Sequence, residues 1–269
     1  MLGDRMIAFR RKRPEEVEVM ARAGRILADC LDEVAARVAP GVTTDTLNTV
    51  AETFIRDHGC LPSFLGYNGF PKSICISVND EAVHGIPGRR IIEDGDLVCL
   101  DCGVILDGWQ ADSGMTLACG PADDEMQRLL AVTYQALQRG IAAAQPGGHM
   151  GDIGGAVSET VTAAGFSLLR DHGGHGIGRR MHEPPEVPNH GVSGRGTELK
   201  PGLVIAIEPI VNAGTGNYRV LDDGWTVVTA DGRRSCYWEH TVAIAEDGPR
   251  VLTLRASEHA QRAASFASN

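Results

Sequence analysis

Asp101 lies in an apolar, strand-like run, Asp96-Leu-Val-Cys-Leu-Asp-Cys-Gly-Val-Ile-Leu106, where an ionised carboxylate without a partner is costly to bury. Glu208 ends a second such run, Leu203-Val-Ile-Ala-Ile-Glu208, and Glu239 stands inside a third, Cys236-Tyr-Trp-Glu-His-Thr-Val242. Asp112 joins them through turn geometry. If Asp107-Gly108 is a two-residue hairpin turn, Gly103 faces Asp112 and Asp101 faces Gly114, which makes Asp101 and Asp112 diagonal neighbours on one face. A longer or bulged turn would separate them. Taken singly, each acid reads equally well as a surface or salt-bridged carboxylate. Four together raise one another's pKa and require cations to stay ionised. Two divalent ions balance four carboxylates. Adding one imidazole gives a hard, oxygen-rich donor set suited to manganese, iron(II), cobalt or zinc. His175 is the candidate, because the glycines of Gly173-Gly-His-Gly-Ile-Gly178 allow close backbone approach.

Strands of this kind need helices to cover them. Pro14 followed by Glu15 and Glu16, with apolar residues at Val17, Met20, Leu27, Leu31, Val34 and Val38, predicts an amphipathic helix stopped by Pro40-Gly41. A second helix is expected from about Thr44 or Asp45 to Gly59, with Leu47, Val50, Phe54 and Ile55 on one side. Strand patterning holds from Ile74 to Leu117. Helical patterning returns from about Asp123 to Ile141 and from Asp152 to Ala164. Strand-like runs follow at Leu203–Val211, Thr226–Thr229 and Tyr237–Ile244.

The order of two helices and then strands occurs twice. Pro40-Gly41 recurs at Pro146-Gly147, Asp45 at Asp152, Gly59 at Gly165 and Gly95 at Gly202, with offsets of 106 or 107 residues. Gly95-Asp-Leu-Val-Cys-Leu-Asp101 aligns with Gly202-Leu-Val-Ile-Ala-Ile-Glu208, so each half sets an acid six residues after its glycine. The expectation is an α+β chain of two related halves sharing one curved sheet, with an acid from each meeting near a pseudo-twofold axis.

The 269 residues carry 35 acidic and 25 basic side chains, a net charge of -10, which excludes proteins that hold DNA by neutralising phosphates. No apolar run approaches the roughly 18 residues of a membrane span, and the first twenty residues are too charged for a signal peptide. Seven cysteines without paired spacing fit a reducing compartment, so a cytoplasmic protein is expected. Cys99 and Cys102 sit three apart in a strand run, on opposite faces, and read as packing residues. The basic run Arg10-Arg-Lys-Arg13 reads as a solvated terminus, with ribosomal RNA as its alternative contact.

Several motifs now come together in order. Asn79-Asp-Glu-Ala-Val-His-Gly-Ile-Pro87, the Asp101 and Asp112 pair, Gly174-His-Gly-Ile-Gly178 with Met181-His-Glu-Pro-Pro185, Ile207-Glu-Pro209 and Glu239-His-Thr241 resemble the type I methionine aminopeptidases, from about Ile7 to Leu254. The resemblance implies the pita-bread fold: a curved antiparallel sheet under helices, in one catalytic domain over 14–254 with half-repeats at about 14–120 and 121–254. Residues 1–13 would be an N-terminal extension and 255–269 a C-terminal tail. It implies Asp101, Asp112, His175, Glu208 and Glu239 as ligands of two divalent metal ions (cobalt, manganese, iron(II) or zinc), with Asp112 and Glu239 bridging. His84 and His182 would be the non-ligand catalytic histidines that contact substrate, and Glu208 would also relay protons.

The implied activity is removal of the initiator methionine from nascent chains whose second residue is small, by attack of a metal-held hydroxide on the scissile carbonyl. Tyr67, Phe70, Cys75, Met181 and Trp225 would line the methionine pocket with His84 and His182. Phe70, Met181 and Gln110-Ala111 depart from residues frequent in the family, and Ala111 bears on whether the hairpin bulges beside Asp112. The implied partner is a peptide N-terminus, at the ribosome in the nascent case, met by a monomer without DNA or membrane. The alternatives are an Xaa-Pro aminopeptidase or prolidase, whose relatives set an extra domain before the first ligand, and a pita-bread binding protein without catalysis. His58, His149, His172, His190 and His240 are expected at surface or structural positions, with His240 on the opposite strand face from Glu239.

Overall fold

Pro14 at the first helical position, with Glu15 and Glu16 in the first turn, starts helix α1 (Pro14–Ala35), and Glu16 Oε2 accepts the Arg13 backbone N–H at 2.9 Å. The structure, a computed structural model, describes residues 9–256 and 258, so that residues 1–8 (Ile7 among them), 257 and 259–269 of the two expected terminal segments lie outside it. Helix α1 ends earlier than its apolar spacing suggests. The Ala36 N–H turns back to Asp32 and Val34, and residues 37 and 38 leave through tighter turns before Pro40. Helix α2 (Thr44–Asp57) is capped by Thr43, which accepts from the Thr46 N–H. Helices α3 (Asp124–Ala143) and α4 (Met150–Ala163) repeat the pair, with 20 and 14 residues against 22 and 14.

The strands of the first half are β1 (Leu61–Pro62), β2 (Ile74–Val78), β3 (Glu81–Val83), β4 (Leu97–Leu106) and β5 (Trp109–Ala118). In the second half they are β6 (Ser167–Leu168), β7 (Gly173–Gly176), β8 (Glu183–Pro188), β9 (Val204–Ile207), β10 (Ile210–Asn212), β11 (Tyr218–Val220), β12 (Val227–Thr229), β13 (Ser235–Tyr237), β14 (Glu239–Ala245) and β15 (Gly248–Val251). A nine-stranded sheet runs β1-β4-β5-β14-β9-β7-β8, with β2 on β4 and β15 on β14. Its halves join where β14 pairs antiparallel with β5. Two three-stranded sheets, β13-β10-β6 and β11-β12-β3, complete the α+β architecture.

Strand alternation decides which side chains meet the helices. Val98, Leu100, Cys102 and Val104 of β4 pack with Leu27 and Leu31 of α1 and Leu47 and Ile55 of α2. In the second half Ile205, Ile207, Val242 and Ile244 pack with Leu137 and Ile141 of α3 and Ile153 of α4. Asp101, Gly103 and Glu239 therefore point to the other side of the sheet. Cys99 and Cys102 join separate apolar clusters, as their spacing implied. The recurrent glycines share a physical cause: Gly95 and Gly202 have φ of +89° and +87°, a conformation that β-carbons disfavour.

Further expectations change. The run Leu203–Val211 is two strands, because Pro209 lacks an N–H and breaks the ladder beside Glu208; the run from Tyr237 breaks at Trp238. The basic segment is not simply solvated: Lys12 is buried, its Nζ 3.0 Å from Glu183 Oε2 and its N–H bonded to the Gly202 carbonyl. The packed body also runs past 254. Arg255 and Glu258 are buried, 3.0 Å apart, and Glu258 Oε1 lies 3.0 Å from His240 Nε2 on the helix-facing side of the sheet.

Candidate metal centre and substrate cavity

The hairpin that carries Asp101 and Asp112 is regular. Asp107 and Gly108 both have positive φ, 51° and 74°, as a two-residue type I′ turn requires, and every pair from Leu97↔Ala118 to Leu106↔Trp109 keeps register. Ala111 introduces no bulge. Asp101 stands opposite Gly114 and Gly103 opposite Asp112, while across β5 the same Gly114 pairs with Glu239 at the start of β14. Asp101, Gly114 and Glu239 thus form one row across three strands, with Asp112 diagonal to it. Thr241 fixes Asp112 from the adjoining strand, accepting its N–H at 2.9 Å and donating to its carbonyl at 2.7 Å.

His175 and Glu208 arrive from the second half. The flanking glycines give β7 its close approach: a β-carbon on Gly174 would strike the Ala206 carbonyl, and one on Gly176 the Pro184 carbonyl. His175 Nδ1 lies 3.0 Å from the Gly176 carbonyl, which accepts, so the Nε2 lone pair faces the acids. Nε2 is 3.7 Å from both Asp112 Oδ2 and Glu208 Oε1. Glu208 sits at the break before Pro209, its carbonyl held by Asn189 Nδ2 at 2.9 Å. One donor atom each from Asp112, His175 and Glu239 lies within 4.8 Å of the others.

The electrostatics suit cations. Asp101 Oδ1, Asp112 Oδ1 and Glu239 Oε1 are buried without hydrogen-bond partners. Burial pushes Asp101 up to about 8. Burial and the neighbouring carboxylates push Asp112, Glu208 and Glu239 well above the ordinary range. Burial holds His175 and His84 down at about 4, and lowers His182. Neutral imidazole beside mutually repelling carboxylates with free oxygens is a donor set for hard divalent ions.

A cavity of about 340 Å³ adjoins this cluster. Its walls include Asp101, Asp112, His175 and Glu208 on one side and Tyr67, Phe70, Cys75, Met181 and Trp225 on the other, with His84 and His182 between. Every residue expected around the substrate lines it; Glu239, fully buried, lies behind the wall. Tyr67 also holds His182, its hydroxyl 2.8 Å from Nδ1. Phe64, Asn68 and Tyr237 line the cavity as well and were not anticipated. Tyr237 carried a signal, since it stands two residues before Glu239 and so shares its face. His172, expected to be surface or structural, is half-buried, with its ring 6.5 Å from that of His84.

Residues 18–246 match metallopeptidase family M24. Methionine aminopeptidase of Clostridium perfringens is 47% identical over 243 residues, covering 90% of this chain and 98% of the relative. The chain belongs to the methionine aminopeptidases of family M24. Among solved members, methionine aminopeptidase from Rickettsia prowazekii superposes with a TM-score of 0.90 at 39% identity, over 92% of this chain and 100% of that one. The sheet and its helices are therefore the pita-bread fold of methionine aminopeptidases. Prolidase from Pyrococcus horikoshii matches at a TM-score of 0.73 and 20% identity, a likeness of fold. This chain covers 63% of that prolidase, against 98% of the Clostridium perfringens enzyme and 100% of the Rickettsia prowazekii one.

Proposed function

We propose that the protein releases N-terminal methionine from peptides and nascent chains whose second residue is small, using two divalent ions held by Asp101, Asp112, His175, Glu208 and Glu239. The observation that carries this reading is the apposition of a buried carboxylate cluster, with one oxygen each of Asp101, Asp112 and Glu239 lacking a hydrogen-bond partner, to an apolar cavity lined by Met181, Cys75 and aromatic rings. When bound, the ions would polarise the scissile carbonyl and make water a strong nucleophile at neutral pH. The residues of the chain supply the rest. The soft, polarizable wall of Cys75, Met181, Phe70 and Trp225 suits a flexible thioether. The acids offer a negative surface to the substrate's α-ammonium, which favours cleavage at a chain end. Glu208, at the cavity wall, takes a proton from the attacking water at its carboxylate and returns it to the departing amine. His84 and His182, neutral and facing the same space, hydrogen-bond the peptide and the developing oxyanion.

None of the described helices is long and apolar enough to cross a membrane. We infer a cytoplasmic monomer that meets its substrates as they leave the ribosome. The test compares Met-Gly-Ser with Met-Ala and Xaa-Pro peptides using protein loaded with cobalt, manganese, iron(II) or zinc. Release of methionine from the first two, stopped by chelator, supports the reading; cleavage confined to Xaa-Pro, or none with bound metal, overturns it.

A further inference from the structure

Tyr237 has no part in the reading above, yet it contacts the candidate metal ligand Glu239 directly. Its hydroxyl donates to Glu239 Oε2 at 2.7 Å, which leaves Oε1 of the same carboxylate buried and unpartnered. Two features of the fold hold the phenol there. Thr116 locks the Tyr237 backbone, accepting its N–H at 3.1 Å and donating to its carbonyl at 2.7 Å. The ring also occupies the space that a side chain at position 114 would fill: a β-carbon on Gly114 would overlap Tyr237 Cε1. Gly114 is the residue between Asp101 and Glu239 in the cross-strand row. The ring is therefore seated over the position that separates two of the acids, and it lines the cavity.

We propose that Tyr237 is a positioning residue of the metal centre, whose hydroxyl fixes the Glu239 carboxylate so that one chain-end of the acid pair, Asp101 with Glu239, is formed before metal arrives. The inference rests on the two-metal reading. Asp112, His175 and Glu208 converge without help from Tyr237, since His175 Nε2 already stands 3.7 Å from both acids. Glu239 is a candidate ligand of both positions, but the one anchored by His175 keeps Asp112 and Glu208 as well, so loss of the hydroxyl would weaken the position that depends on Asp101 and Glu239 more than that one.

The experiment is a cobalt(II) titration of metal-free protein, followed by calorimetry and by the visible ligand-field absorption of the bound ion. Tyr237→Phe removes the hydroxyl and keeps the ring on Gly114. Thr116→Val loosens the Tyr237 backbone but leaves the hydroxyl and the seat of the ring on Gly114, which keeps the phenol against Glu239, and so reports a merely structural effect. The expected result is two equivalents bound by the unaltered protein, with the second weakened about tenfold or more in Tyr237→Phe, the first changed less than threefold, and an altered ligand-field spectrum. Thr116→Val should stay within threefold at both. Identical isotherms for Tyr237→Phe and the unaltered protein, or equal losses in both variants, would overturn the role of Tyr237 while leaving the metal centre intact. Failure of the folded, unaltered protein to bind cobalt would overturn both.

Discussion

Asp101 and Glu239, one acid from each half of the chain, both take Gly114 as their cross-strand partner. That shared glycine brings together residues far apart in sequence, and it concentrates charge in a place the bare fold would avoid. A buried like-charged cluster is a cost to the metal-free protein and an asset to the metal-bound one. Asp101→Asn should therefore be more stable than the unaltered protein in chelator, by about 1–3 kcal/mol, while losing at least a hundredfold in peptide hydrolysis with metal. Paired thermal unfolding and activity measurements check this, and a destabilised Asp101→Asn in chelator would contradict it.

Metal removal should act in the opposite direction on the unaltered chain. A ligand present at 100 times its dissociation constant stabilises the folded state by about 2.7 kcal/mol per site. Adding chelator should lower the unfolding temperature by several degrees and abolish methionine release, with both restored by cobalt or manganese. Unfolding temperatures that ignore metal would argue against these five residues as its site.

The carboxylate cluster was legible in the sequence because four acids in or beside strand-like apolar runs together require cations, although each alone reads equally well as a surface or salt-bridged group, and because Asp107-Gly108 fixes the register that follows. The repeat was legible through glycines whose left-handed φ most side chains disfavour. Other features were hidden. Tyr237 stood at the start of a predicted strand, two residues before Glu239, but nothing in a linear sequence shows that its ring fills the absent side chain of Gly114. Lys12 looked solvated because its partner, Glu183, lies in the other half. Arg255 and Glu258 read as a tail, although they close on His240 across the back of the sheet. Partners that meet only through tertiary packing leave no local pattern.

Met181 rests against the hairpin that carries Asp112: a β-carbon on Gly103 would stand 2.7 Å from its Cε. Gly103 pairs with Asp112 and lies under the cavity wall. Gly103→Ala should push Met181 into the cavity and raise KM for methionyl peptides about tenfold, with a smaller change in kcat, as expected when ground-state binding is lost. Met181→Ala should widen the pocket and narrow the preference for Met-Gly-Ser over Leu-Gly-Ser. An unchanged preference in both variants would remove Met181 from the specificity wall.

His84 is held at about 4 by burial first and then by His172 and His182. The sign is that of a depressed base: the folded protein favours neutral imidazole, and that preference is complete above the ordinary value near 6.5. His84 should contribute no inflection to kcat/KM between pH 6 and 8. His84→Ala should lower kcat by about 10²–10³, the usual loss for a transition-state hydrogen bond, while leaving metal content unchanged. A rate within threefold of the unaltered enzyme would show that His84 makes no such contact.

Glu258 ties the C-terminal residues to the sheet. Burial alone would raise its carboxyl, but the hydrogen bond from His240 and the charges of His240 and Arg255 outweigh burial and hold it at about 2, against an ordinary 4.5. For a depressed acid the stabilisation is fully present above the unfolded value and is lost as pH falls through 4.5 towards 2. Removing one member of a buried charge group commonly costs about 3–5 kcal/mol. Glu258→Gln should accordingly unfold more easily at pH 7 by roughly 3 kcal/mol, and the difference should shrink below pH 4.5 and disappear near pH 2. Urea unfolding of both proteins at pH 7, 4 and 2.5 measures it. A difference that persists undiminished at the lowest pH would mean that Glu258 contributes through its shape and hydrogen bonds rather than through its charge.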